Sequence, residues 1–184
     1  MLIEAIANCA HLAIFKDKKL LDLPHADEPY YRFLYWLAKR IDFTTIIECG
    51  VYAGTGLGHL ALGNNLSETV VVGVDTDLSH LLEIVRKMRG VKTVESDSVQ
   101  YLSSFVDNSF HLVLFHLDTQ HIPDQVQQEL EQAIRISRRA VICIDDIRIR
   151  DDMAEWWDNL KVDGIKVEYP ELHVTGYGVV IVGE

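Results

Sequence analysis

IIECGVYAGTGLGHL, residues 46–60, decides how this chain folds. It opens with an apolar run, passes through Gly50, Gly54, Gly56 and Gly58, and closes on residues that favour a helix. Glycine reaches positive φ and lets backbone come close to a ligand. The N–H groups at the start of a following helix point into the same space. Strand, tight glycine turn and helix in this order open a βαβ unit.

The pattern continues outward from that stretch. Short apolar runs recur at Thr45–Cys49, Val70–Val74, Val91–Val94, His111–Phe115, Ala140–Ile144, Ile165–Val167 and Tyr177–Val182. Amphipathic stretches such as 78–89 and 122–137 separate the first five. Alternation of this kind predicts an α/β fold, a Rossmann-like three-layer sandwich around a mainly parallel seven-stranded sheet. Near-continuous apolar runs fit strands buried on both faces. The last two runs have no helix between them, and YPELHVTGYG supplies a reversal, so the last strand is expected to run antiparallel. Upstream, residues 2–15 and 27–41 read as helices, the second carrying Tyr30, Phe33, Leu34 and Leu37 at helical spacing. The expected organisation is one domain, 1–184, with N-terminal helices over 1–41 and the Rossmann-like core over 44–184. The helices suit a lid or a contact with a second copy of the chain.

Composition narrows the function classes. The 184 residues carry a net charge of −11, with 48% hydrophobic and 24% charged residues. That is the balance of a folded globule, and its field repels nucleic acid. The basic residues fall in small groups: Lys16, Lys18 and Lys19, then Arg86, Lys87 and Arg89, then Arg135, Arg138 and Arg139. No nucleic-acid or membrane partner is expected. Cys9, Cys49 and Cys143 are too few for a disulfide framework and contain no CxxC pair; Cys49 and Cys143 read as buried small hydrophobes. With no basic leader or long apolar span, the expected location is the cytoplasm. Trp156 and Trp157 read as helix packing.

In open sheets of this type, ligands bind beyond the carboxyl ends of the strands. Asp75, in VVGVDTD, ends the second strand. A carboxylate there accepts hydrogen bonds from vicinal ribose hydroxyls; the competing reading is a helix cap, a task Asp77 can also perform. Glu48 lies two residues before Gly50. An anion there opposes a pyrophosphate and suits a ligand with a sulfonium and an ammonium, or it binds loop N–H groups. This favours S-adenosylmethionine over a dinucleotide. A nicotinamide-dependent reductase is the competing class, since Gly50, Gly54 and Gly56 spell GxxxGxG. Its Tyr-x-x-x-Lys pair occurs only at Tyr35 and Lys39, before the glycine turn.

ECGVYAGTG, VVGVDTD, VESDS, HLVLFHLDTQH and VICIDDI together resemble the successive motifs of class I S-adenosylmethionine-dependent methyltransferases. The likeness is nearest to the methyltransferase 24 group, which includes macrocin O-methyltransferase-like and cephalosporin hydroxylase-like proteins, and it covers residues 27–183. The resemblance implies that Glu48, Gly50, Tyr52 and Gly54 line the methionine part of the cofactor. It further implies that Asp75, followed by Thr76, holds the ribose and that Asp97 and Ser98 approach the adenine. Asp145 and Asp146 match positions that hold a divalent metal such as Mg²⁺ in some relatives, with His116 as a third candidate ligand. Adjacent residues on an extended strand face opposite ways, so both aspartates can chelate only if the chain turns there.

The fourth strand departs from the group, reading His116, Leu117, Asp118, Thr119 where Asp-Gly-Asp-His is usual. His116, Asp118 and His121 cluster after this strand. His116 is the candidate base because imidazole titrates near neutrality, with Asp118 beside it; the alternative for His116 is a strand-end hydrogen bond. The implied reaction is O-methylation of a small-molecule hydroxyl. The competing reading within the fold is an S-adenosylmethionine-binding protein without the chemistry. The short chain leaves little room for a separate substrate domain, which fits a small pocket or one completed in a homo-oligomer.

Overall fold

The computed structural model describes residues 2–15, 20–64 and 69–183. The basic group Lys16, Lys18 and Lys19 lies outside the described residues. Two helices come first, α1 (Leu2–Phe15) and α2 (Pro29–Arg40). Then follow β1 (Thr45–Cys49), α3 (Thr55–Gly63), β2 (Val70–Asp75), α4 (Glu83–Arg86), β3 (Val91–Glu95), α5 (Ser98–Ser103) and β4 (Phe110–Leu117). The chain continues through α6 (Pro123–Ile136), β5 (Ser137–Asp145), α7 (Asp151–Asn159), β6 (Ile165–Glu168) and β7 (Tyr177–Val182).

The seven strands form one sheet in the order β3-β2-β1-β4-β5-β7-β6. The first five are parallel. β7 runs antiparallel to both β5 and β6, as the missing helix between the last two apolar runs predicts. Residues alternate between the two faces of each inner strand. Ile46, Val71, Leu114 and Val141 pack toward α1, α2 and α3, with Ile6, Phe33 and Leu57. Ile47, Val72, Phe115 and Ile142 pack on the other face with Val126, Leu130 and Trp157. Burial on both faces is why these strands read as unbroken apolar runs. The edge strand β3 instead has only exposed and half-buried positions.

Two local differences from the sequence reading matter. The stretch 78–89 is not one helix but a 3-10 turn, Leu78–His80, and the short α4. Leu81 and Leu82 between them are extended, and the Leu82 N–H donates to the Ala53 carbonyl at 3.2 Å. Leu78, Leu81 and Val85 are buried, with Leu81 and Val85 laid against Gly54, so packing on the glycine turn overrides helical periodicity. The fourth strand runs on to Leu117, which puts His116 inside it rather than after it.

All three cysteines are buried free thiols. Burial pushes the Cys9 thiol up to about 11 and the Cys143 thiol up to about 12, which removes them as nucleophiles at neutral pH. Trp157 is buried against the sheet, with its ring over Gly178. Among the described residues no helix is long and apolar enough to cross a membrane.

Arg32 fixes α2 to the segment before it. Its side chain is buried, Nε donates to the Ala13 carbonyl at 2.7 Å, and Nη1 donates to the Asp27 carbonyl. Arg32→Met keeps the apolar stem and removes both donors. It is expected to lower the unfolding free energy by about 2 kcal/mol, read from urea denaturation. An unchanged midpoint would mean these bonds do not hold the segment.

Candidate active site

The glycine turn is shaped by close approach. Gly50 has φ +84°, and a Cβ there would lie 1.9 Å from the Asp118 carbonyl oxygen, so only glycine fits between the ends of β1 and β4. Asp75 organises the turn. Its Oδ2 accepts from the N–H groups of Val51 at 2.8 Å and Tyr52 at 2.9 Å, and its Oδ1 accepts from Asp77 at 3.1 Å. The local cap is made by Asp77, which accepts from the Ser79 N–H at 2.8 Å. Gly54 has φ +87° and begins α3, but it packs under Leu81 and Val85. Its chain neighbours Ala53 and Thr55 line the second of the two clefts described below.

Two clefts open at the carboxyl ends of the strands and meet at Gly50, Tyr52 and Asp118. The first, of about 230 Å³, is lined by Asp75, Thr76, Asp97 and Ser98 with Gln125 and Thr119. Asp97 caps α5, accepting from the Gln100 N–H at 2.8 Å. Below it lies a buried polar network that the motifs did not reveal. The Ser98 hydroxyl donates to Glu129 Oε1. Thr119 donates to Glu129 Oε2 at 3.1 Å, and Gln125 bonds both Ser98 and Glu129. Glu129 is fully buried, and burial raises its carboxyl above the usual range. One sequence signal existed: in α6 it occupies the apolar stripe formed by Val126, Leu130 and Ala133.

The second cleft, of about 570 Å³, carries Glu48, Asp118, His121, Asp145, Asp146 and His173, and is roofed by Pro24, His25, Tyr30 and Tyr31. Among the described residues its lining contains no lysine or arginine. Asp146 has φ +58°, which supplies the turn that two adjacent aspartates need to face one space. The imidazole that joins them is His173, not His116: donor atoms of Asp145, Asp146 and His173 lie within 4.8 Å of one another. His173 Nδ1 is 2.8 Å from Asp145 Oδ1, and its Nε2 is 3.3 Å from Glu28 Oε2. Nothing in YPELHVTGYG marked this histidine, because its position depends on where β6 ends.

His121, at φ +51°, turns Nε2 toward Asp118 Oδ1 at 3.5 Å and Asp146 Oδ2 at 3.3 Å. Burial, then the facing charge of Asp145, hold the Asp118 carboxyl well above the usual carboxylate range. His116 lies beneath the cleft wall with no exposed surface and lines neither cleft. Its Nδ1 is 2.9 Å from Glu48 Oε1. Burial lifts the Glu48 carboxyl, against the pull of the His116 hydrogen bond. For His116, burial favours the neutral ring, but the hydrogen bond and charge of Glu48, with Asp118 and Asp145, outweigh it and raise its value.

No protein-family model and no curated protein matches this chain. Solved structures do. A cofactor-bound structure of Rv0187 from MTB aligns at TM-score 0.65 and 20% identity, over 100% of this chain and 90% of that one. The O-methyltransferase TomG from Streptomyces achromogenes, involved in tomaymycin synthesis and in complex with SAM, aligns at 0.66 and 17%, over 98% and 90%. A methyltransferase from Geobacter sulfurreducens aligns at 0.64 and 14%, over 100% and 89%. At these identities the likeness establishes a shared Rossmann-like fold.

The buried pair makes a pH-dependent contribution to stability. His116 sits above its ordinary 6.5 in the folded chain, so its contribution is full below that value and is lost as pH rises through the raised one. Thermal denaturation of the wild type and His116→Asn is expected to show a wider gap at about pH 6 than at about pH 8.5. An equal gap at both would contradict the assignment.

Proposed function

We propose that this chain is an S-adenosylmethionine-dependent methyltransferase acting on a hydroxyl of a small-molecule acceptor. The observation that carries the reading is the pair of joined clefts at the strand ends. The first has acids at the ends of β2 and β3 and suits an adenosine; the second begins at a buried carboxylate, Glu48, beside the glycine turn. The motif likeness to the methyltransferase 24 group and the TomG alignment support the same reading.

In this reading Asp75 meets the ribose through Oδ1, since Oδ2 already accepts two loop N–H groups. Asp97 and Ser98 wall the adenine side. The methyl group comes from the sulfonium, an excellent leaving group, so alignment and proton removal are the protein's tasks. The enclosed His116 does not reach an acceptor. His121 is the base in this reading: it lines the second cleft, and Asp118 and Asp146 flank its Nε2. The two carboxylate oxygens and one imidazole nitrogen of Asp145, Asp146 and His173 form a donor set that fits a divalent cation. They would hold one, and a cation there would polarise the acceptor oxygen.

The reductase reading is weakened because Tyr35 and Lys39 line neither cleft. A non-catalytic S-adenosylmethionine-binding protein is the second reading, favoured by Thr119, whose hydroxyl is committed to Glu129. Isothermal titration with S-adenosylmethionine, S-adenosylhomocysteine and NADH tests the proposal, and micromolar binding of the first two alone is expected. Failure of both to bind would overturn it. In an acceptor screen with and without Mg²⁺, His121→Ala is expected to lower turnover at least ~100-fold while keeping S-adenosylhomocysteine affinity. Binding with no turnover of any acceptor would favour the second reading.

A further inference from the structure

Glu48 and His116 stand side by side because β1 and β4 are parallel and in register at these two residues. Paired positions on neighbouring strands put their side chains on one face. Oε1 of Glu48 is taken up by His116 Nδ1 at 2.9 Å. Gly56 leaves the room for this: a Cβ there would lie 2.0 Å from Oε1. Oε2 is buried and has no partner among the described residues, yet Glu48 is part of the second cleft's wall. A buried carboxylate oxygen without a partner costs free energy unless a ligand completes it.

His116 has no exposed surface, and the rings of Tyr177 and Tyr30 flank it at 6.1 and 6.5 Å. It cannot touch an acceptor or a ligand, and its one polar contact among the described residues is Glu48. We infer that His116 is a positioning residue, which holds Glu48 so that Oε2 receives the α-ammonium group of a bound S-adenosyl ligand. The hydrogen bond fixes the Glu48 side chain before the ligand arrives, so less ordering remains to be done on binding. The inference rests on the function proposed above.

The ligand itself supplies the control. S-adenosylhomocysteine carries the amino-acid group, whereas 5′-methylthioadenosine keeps the adenosine and sulfur and lacks it. Titration of the full chain with both is expected to show that His116→Phe and His116→Asn weaken S-adenosylhomocysteine binding ~10-fold or more. Binding of 5′-methylthioadenosine should stay within about twofold, which also reports that the variants are folded. In a Glu48→Gln background, the His116 substitutions should add little further loss, because the effect runs through Glu48. Parallel weakening of both ligands, or a His116 effect that persists in the Glu48→Gln background, would overturn the inference. A wild type that binds neither ligand would instead overturn the proposed function.

Discussion

Between β1 and β4 the winding of the sheet changes direction, and everything at the strand ends depends on how tightly those two strands are held there. β1 continues in the sheet order to β2 and β3 on one side, while β4 leads to β5 on the other. The Asp118 N–H donates to the Cys49 carbonyl at 2.8 Å, and Gly50 lies against the Asp118 carbonyl with no room for a side chain. That contact divides the space above the sheet into two clefts that share a rim. It also brings the β1 acid and the β4 histidine into register. A glycine turn with any wider separation would leave neither the division nor the pairing.

The layers and strand order follow from signals that a sequence states openly. Apolar runs, acids at the ends of β2, β3 and β5, and glycines after β1 are local features. Less legible are the groups whose neighbours come from afar. Glu129 and His173 carry no local motif, and they enter the site only because α6 packs beneath Ser98 and β6 ends beside β5's partner strand. His116 misled for a related reason. Two more residues of strand pairing, His116 with Cys143 and Leu117 with Ile144, decide whether that imidazole faces a cleft or a carboxylate. Apolar patterning alone does not fix a strand end to that accuracy.

The N-terminal part of the chain is a further case. Its helices announce themselves by periodicity, but nothing in them says where they dock. In the folded chain, Pro24, His25, Tyr30 and Tyr31 cover the second cleft. Tyr30 also packs on His173 and Tyr177, with centroids 4.6 and 5.6 Å away. Glu28 reaches the same histidine. The roof of this cleft and the wall that carries His173 thus come from opposite ends of the sequence.

The antiparallel β7 has one more consequence. Because it slots between β5 and β6, the connection from Glu168 to Tyr177 returns to the same end of the sheet as the clefts, with both its ends pinned to neighbouring strands. Lengthening a pinned loop costs little, about 0.6 kcal/mol of closure entropy for each doubling. The wall that carries His173 can therefore vary in length and composition while the sheet and the glycine turn stay as they are. Divergence of this fold toward ligands of different shape has an inexpensive place to happen.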